Sequence, residues 1–236
     1  MRIQRRFFFL ALVLGMIAGP LPGLPVKTLI VGFERHSVQN GVSETTRGTI
    51  FFRAQALTLV HIQTPVNQWM LHRDQEMLIY YPDEQKAFRI TSTQIPFFVS
   101  FFQAFLGVLL EDFGLTSIGY TLARCDQQGD VLISHWNPPA AAVKSLGSFL
   151  LEYQANRLVR VELNDPRGQL VSRTLFRNHQ PYGNIDFPGE ILSERFQGMK
   201  GTETVLFIEP RFNVELPAEA VNFSIPAGVS VKEVQW

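Results

Sequence analysis

The sequence is poor in cysteine, since Cys125 is the only one in 236 residues. An internal disulfide is therefore excluded, and the fold has to be held together by its hydrophobic core. The same scarcity leaves no Cys-x-x-Cys pair, and the five histidines are scattered without a His-x-x-x-His spacing. A metal site has little support from such a pattern, and no cofactor is expected.

Catalytic motifs are lacking as well. The chain contains neither a Gly-x-Ser-x-Gly elbow nor a glycine-rich phosphate loop. We therefore expect a protein that is not an enzyme. An envelope hydrolase remains a third hypothesis, because a serine, a histidine and an acid that are distant in sequence can meet in the folded chain.

An excess of charge of either sign is also absent. The chain has 21 Lys and Arg residues and 21 Asp and Glu residues. Removal of residues 1–23 takes away three arginines and no acids, so 18 minus 21 leaves a charge of −3. Because nucleic acids and anionic membrane surfaces attract basic proteins, nucleic acid is not an expected partner.

The N-terminus has the pattern of a secretory signal. Three arginines among the first six residues precede an apolar run from Phe7 to Gly19. The run is short for a membrane helix, which needs about 20 residues. No cysteine follows it, so the signal lacks the residue that bacterial lipoproteins acylate. We predict that residues 1–23 are a signal peptide, with a retained inner-membrane anchor as the alternative, and that residues 24–236 form a single exported domain.

What the sequence has in abundance is short β-rich runs separated by turn residues such as Asn40-Gly41. They predict strands over 28–39, 49–53, 57–63, 68–73, 77–81, 86–91, 117–123, 131–136, 148–154, 158–164, 169–177, 190–196, 203–208 and 212–216, with a closing run over 223–231. So many antiparallel strands predict a mainly β fold, arranged as a barrel, a sandwich or a sheet curled around a helix.

The segment 97–113 breaks this two-residue rhythm and predicts a helix of about four turns. It is Phe-rich, and its small or polar positions form one narrow stripe: Ser100, Gln103, Ala104, Gly107 and Glu111. Such a helix has to be covered on most sides or has to face a lipid-like ligand. It favours a sheet that curls around the helix and leaves a concave apolar face for that ligand.

Residues 48–82 resemble the LolA family, the periplasmic carriers of outer-membrane lipoproteins. The resemblance rests on Gly48, Phe51, Pro65, Trp69, Leu78, Tyr80 and Pro82. The closing FSIPAGVSV at 223–231 is similar to the family's Phe-x-x-Pro-x-Gly-Val-x-Val pattern, and FERHS at 33–37 is similar to its early strand. This resemblance implies an open half β-barrel of antiparallel strands, wrapped around lid and core helices, with a hydrophobic cavity between sheet and helices.

The resemblance also implies that apolar side chains of the strands and the helix line the cavity. The candidates are Phe51, Trp69, Leu78, Tyr80, Phe98, Phe101, Phe102, Phe105, Leu109 and Trp136. Plain core packing is the alternative for all of them. Where the family has Arg-Pro, this chain has Ala54-Gln55, and Arg53 stands one position early. Arg53 is the candidate polar latch, which bonds a backbone carbonyl or a lipid head group.

The expected function is that of a monomeric periplasmic carrier. It binds the acyl chains of lipoproteins or free lipid and shuttles them toward the outer membrane without covalent chemistry. An inner-membrane release complex and an outer-membrane acceptor are its expected partners. The alternative is a membrane-tethered envelope sensor or structural module of the same fold that binds a protein partner, and retention of the segment 7–19 would favour it.

Overall fold

The computed structural model describes residues 26–73, 76–91, 100–198 and 200–235, with the backbone alone at residues 100–103, 111 and 235. The predicted signal peptide, residues 1–23, lies outside the described residues. None of the helices in these ranges has the length and apolar character that crossing a membrane requires.

Most of the described chain forms β-strands. The strands are β1 (Thr28–Gln39), β2 (Val42–Arg53), β3 (Leu57–Thr64), β4 (Gln68–Arg73), β5 (Glu76–Tyr81), β6 (Lys86–Thr91), β7 (Thr121–Gln128), β8 (Val131–Asn137), β9 (Phe149–Gln154), β10 (Arg157–Asn164), β11 (Leu170–Arg177), β12 (Gln180–Tyr182), β13 (Ile185–Phe187), β14 (Glu190–Arg195), β15 (Gly201–Phe212) and β16 (Ser230–Gln235). The helices are α1 (Ser100–Val108) and α2 (Ala218–Val221), with 3₁₀ turns at Glu111–Gly114, Thr116–Ile118 and Ala140–Ala142.

Fourteen of the strands form one open sheet. Their order is β16, β6, β5, β4, β3, β2, β1, β15, β14, β11, β10, β9, β8, β7, and β12 and β13 form a separate hairpin. The neighbouring strands are antiparallel except β16 and β6, which are parallel. The mainly β, antiparallel and open architecture that the sequence predicts is thus confirmed.

Both faces of the sheet are buried where β2 crosses its centre. Ile50, Phe51 and Phe52 are all buried, although successive side chains of a strand point to opposite faces. Ile50 and Phe52 belong to one core cluster, together with residues of α1. Phe51 belongs to a second cluster, which contains Leu216 and Ala220 from the C-terminal segment. We call the side of Ile50 the inner face and the side of Phe51 the outer face.

The sequence predicts most strands closely. Those at 28–39, 68–73 and 86–91 have the predicted bounds, and seven others differ by one residue at one end. The hairpin turn at Asn40-Gly41 is confirmed, because both residues have positive φ, 49° and 80°. A two-residue turn of this kind matches the twist of the strands that it joins.

The helix predicted over 97–113 is shorter in the structure. α1 ends at Val108, and residues 97–99 lie outside the described residues. Asp112 and Phe113 have positive φ, 46° and 58°, which an α-helix cannot contain. The chain instead turns through Glu111–Gly114, and this turn brings Phe113 back against α1.

Five strand predictions are corrected. The strand predicted over 49–53 begins earlier, at Val42. The closing run over 223–231 becomes a strand only at Ser230, where β16 begins. The segment 117–123 begins as a 3₁₀ turn that ends at Gly119, with φ of 85°, and becomes a strand only at Thr121. The predicted strands 203–208 and 212–216 are replaced by the single strand β15, and residues 213–216 are not a strand. The hairpin of β12 and β13 and the short helix α2 have no counterpart in the predictions.

Candidate functional site

A cavity of about 510 Å³ lies on the inner face, between the sheet, α1 and the turns that follow α1. We call it the inner cavity. Its apolar wall is formed by Leu106, Leu110, Phe113, Leu115, Ile118, Tyr120, Leu146, Phe149, Val161 and Leu163. A volume of this size is typical of sites that bury a small ligand.

α1 packs into the inner core cluster and also lines the inner cavity. Phe105 is fully buried, with its ring centre 6.4 Å from that of Phe52 and 5.8 Å from that of Phe207. Leu106 and Gly107, the next two residues, line the cavity instead. Because neighbouring helix positions point about 100° apart, α1 packs one side against the sheet and presents another to the cavity.

Phe113 closes the cavity next to α1 because a glycine gives it room. A Cβ atom added at Gly107 would overlap the ring of Phe113. The same ring meets Phe176 of β11 edge to face, with 6.2 Å between the ring centres. The pairing of Gly107 with Phe113 therefore fixes the turn after α1 against the sheet.

The segment between β8 and β9 forms another part of the wall. Gly147 approaches β10 so closely that a Cβ atom there would overlap the carbonyl oxygen of Asn164. The hydroxyl of Tyr120 donates a hydrogen bond to the carbonyl of Gly147 over 3.1 Å, and the Tyr120 ring meets Phe149 edge to face. Burial raises the pKa of Tyr120, so the phenol stays protonated and able to donate.

A second, wider groove of about 1,020 Å³ lies on the outer face, between the first strands and the C-terminal segment 215–226. We call it the outer groove. The ring of Trp69 is stacked on His61 at 3.8 Å and on Phe223 at 5.2 Å between ring centres. This stack packs the C-terminal segment against the sheet.

The structure divides the predicted cavity residues between the two faces. Phe51, Trp69 and Leu78 lie in or against the outer core cluster, and Tyr80 lines the outer groove. Phe105, Leu109 and Trp136 lie in the inner core cluster. The two groups are on opposite sides of the sheet and do not form one wall, so a ligand in the inner cavity cannot touch the first group. That these residues bind a ligand stays a prediction.

Phe98 and the side chains of Phe101 and Phe102 lie outside the described part of the chain. Arg53 is half-buried at the end of β2, where it pairs with Thr28 and Leu57. Within the described residues its guanidinium has no hydrogen bond or ion pair with a side chain, and its role as a latch stays a prediction.

None of the predicted site residues whose side chains are described lines the inner cavity, so the residues of its described wall were not predicted. The alternation of Val161 and Leu163 in the predicted strand 158–164 marks an apolar face, but periodicity does not show that the face borders a cavity. Arg195, which lines the polar part of the cavity, follows Ile191 and Ser193 at the same two-residue interval. Within the described ranges, no group of three His, Cys, Asp or Glu residues is placed to hold a metal ion.

No protein-family model matches the chain, and no curated protein matches it either. Several solved structures, however, match the chain. A LolA superfamily protein from Nitrosomonas europaea is 14% identical, with a TM-score of 0.61 over 84% of this chain and 90% of that one. A domain from Vibrio parahaemolyticus that is named for outer-membrane lipoprotein sorting is 16% identical, with a TM-score of 0.63 over 83% and 89%.

A DUF1329 family protein from Desulfovibrio piger is 15% identical, with a TM-score of 0.63 over 83% of this chain and 89% of that one. Each of these structural matches extends over most of both chains, although the sequence identities are only 14–16%. The resemblance of residues 48–82 to LolA is confirmed at the level of architecture, and the chain has the LolA-like fold.

Proposed function

We propose that this protein is a non-enzymatic periplasmic carrier that binds the acyl chains of lipoproteins or free lipid in the inner cavity. The observation that carries the proposal is a largely apolar cavity of about 510 Å³ beneath a short helix in a LolA-like fold. The Vibrio parahaemolyticus domain, named for outer-membrane lipoprotein sorting, has the same fold and supports this direction. We also propose that the protein receives its cargo from an inner-membrane release complex and hands it to an outer-membrane acceptor.

The energetics of burial suit a carrier. Each CH₂ group that leaves water contributes about 0.8 kcal/mol, so a few buried groups of an acyl chain give useful affinity. Leu106 and Leu110 on one side and Phe149 and Leu163 on the other offer the apolar surface that such a chain needs. Binding of this kind is reversible and needs no reactive group.

Loading and release of a buried acyl chain require the cover of the cavity to move. α1 has nine residues, and isolated helices shorter than about 12 residues are marginal in water. It is therefore held in place by its buried side chains, chiefly Phe105, Val108 and Leu109. Displacement of this helix exposes the cavity for loading and release.

The lining of the cavity also favours binding over hydrolysis. A serine nucleophile needs a base within hydrogen-bond reach. Several serines line the described wall of the inner cavity, but no histidine does. We therefore propose that the protein carries its cargo unchanged.

The experiment is a titration of delipidated protein with a fluorescent fatty acid, for the native chain and for two variants. Ser172→Phe puts an aromatic ring on the cavity floor, where Ser172 lies between Leu163 and Arg195 in the register of the sheet. Leu175→Phe enlarges a side chain of the same strand on the outer face and is the matched control. Urea denaturation of both variants verifies that they fold.

We expect Ser172→Phe to weaken binding by about tenfold or more, equivalent to about 1.4 kcal/mol, and Leu175→Phe to bind like the native chain. Failure of the native protein to bind any acyl probe contradicts the proposal. Equal affinity of Ser172→Phe and Leu175→Phe for the fatty acid would mean that the ligand lies outside the inner cavity, and it would also contradict the proposal.

A further inference from the structure

The floor of the inner cavity changes from apolar to polar across neighbouring strands. One row of directly paired residues crosses six strands, and all of its members line the cavity: Phe149, Leu163, Ser172, Arg195, Gly201 and Gln39. Adjacent strands are about 4.8 Å apart, so Arg195 lies about 10 Å from Leu163. The row therefore runs from aromatic and aliphatic side chains to a cation.

A parallel row shows the same gradient. It consists of Val161, Thr174, Ser193, Glu203 and Ser37. The hydroxyls of Thr174 and Ser193 are 3.2 Å apart and hydrogen-bonded to each other. Two independent rows thus place the hydrocarbon-like wall at β9 and β10 and the polar wall at β14, β15 and β1.

The acidic groups at the polar end are already occupied. Glu203, which is buried, forms an ion pair with Arg35 over 2.5 Å. Glu194 lies 3.8 Å from Arg173 on the other side of its strand. Asp165 accepts hydrogen bonds from the backbone amides of its own turn.

Arg195 is different. It lines the cavity and is half-buried, and within the described part of the chain its guanidinium has no acidic partner and no hydrogen bond. Gly201, its paired neighbour on β15, has no side chain that could bond the guanidinium. A Cβ atom at Gly201 would meet the carbonyl oxygen of Val38, so β1 approaches closely there.

We infer that the inner cavity takes a single-chain amphiphile with an acidic head group, whose chain lies against β9, β10 and α1 and whose head group is bound by Arg195. The planar fork of the guanidinium matches two oxygens of a carboxylate or a phosphate. This inference rests on the proposed function, which it narrows to a class of ligand. A neutral acyl chain would leave the one uncommitted cation of the described floor without a partner.

The test compares three ligands of equal chain length as competitors of a bound neutral fluorescent probe. A fatty acid offers a carboxylate, a lysophosphatidic acid offers a phosphate, and a fatty alcohol offers neither. All are used below their micelle concentration at mildly alkaline pH. The proteins are the native chain, Arg195→Gln, Arg195→Lys and, as a control in the outer groove, Arg211→Gln.

We expect the native chain and Arg211→Gln to bind at least one of the two acids about tenfold more tightly than the alcohol, a ratio that corresponds to about 1.4 kcal/mol. Arg195→Gln should lose this preference while it still binds the alcohol, and Arg195→Lys should recover part of it. The tighter of the two acids identifies the head group as carboxylate or phosphate.

Equal binding of acid and alcohol by the native chain would overturn the inference and leave the proposed function standing. A preference that persists in Arg195→Gln, at unchanged urea midpoint, would overturn it as well. No binding of any of the three ligands would refute the proposed function itself, so the two failures are distinguishable.

Discussion

Replacing Gly107 with alanine should destabilise this protein, although alanine is the better helix former. In an exposed helix the change from glycine to alanine stabilises by about 1 kcal/mol. Here the added Cβ atom overlaps three ring atoms of Phe113. Overpacking of a filled site costs about 1–3 kcal/mol, because the ring is held between α1 and Phe176 and has to move as a whole.

The gain in helix propensity and the cost of the overlap with Phe113 oppose each other, and we expect the cost to be larger. We expect Gly107→Ala to lower the free energy of unfolding by about 1 kcal/mol, the difference between the two effects. Urea denaturation followed by tryptophan fluorescence measures this change. Because both residues line the inner cavity, the displaced ring should weaken binding of a fluorescent fatty acid at the same time.

A second background makes the test decisive. Phe113→Leu removes the aromatic edge, so in that background Gly107→Ala should become neutral or stabilising. The sign of its effect should therefore reverse, and the double-mutant cycle should show a coupling of about 1 kcal/mol or more, as contacting residues do. Stabilisation of the native background by Gly107→Ala, with no coupling, would refute the assignment of Phe113 to this position.

Three further predictions concern the cover of the two faces and the effect of pH. Burial lowers the pKa of His179, so the unfolded chain binds the proton more readily. The free energy of unfolding should fall as the pH falls below about 6.5, the ordinary value for histidine, and His179→Gln should flatten that part of the curve. Phe223→Ala removes the ring stacked on Trp69 and should speed proteolysis of the C-terminal segment, with a loss of about 1 kcal/mol or more. Tyr120→Phe removes the hydrogen bond to Gly147 and should lower the free energy of unfolding by about 1 kcal/mol.

Each of these predictions has a contrary outcome. An unchanged pH curve in His179→Gln would show that this imidazole titrates alike in the folded and unfolded chain. Unchanged proteolysis of Phe223→Ala would show that the aromatic stack does not hold the C-terminal segment. Full stability of Tyr120→Phe, together with unchanged hydrogen exchange at Gly147, would contradict the role of the phenol in the cavity wall.

The strands were predictable because local chemistry determines them. Turn residues such as Asn40-Gly41 admit the positive φ that a hairpin requires, and β-rich runs between such turns leave few alternatives. Errors arose where backbone geometry interrupts an apolar pattern. At Gly119 the chain turns with positive φ inside a run that reads as a strand, and at Phe113 an aromatic residue adopts positive φ itself.

The sides of the sheet were not predictable from the pattern of β2. Ile50, Phe51 and Phe52 form an unbroken apolar run, which is typical of a strand that is buried on both faces. Such a run does not indicate which residue faces which partner, because both partners come from distant parts of the chain. The sequence therefore groups Phe51 with Phe105, although the structure places them on opposite sides of the sheet.

The most direct test of the account is to map where an acyl chain lies in the folded protein. A fatty acid with a photoactivatable diazirine at the end of its chain is bound and irradiated, and the labelled peptides are identified by mass spectrometry. We expect labels within residues 104–120 and 146–163, with loss of labelling in Ser172→Phe. Labels on the outer groove, within residues 211–226 and around Trp69, would contradict it.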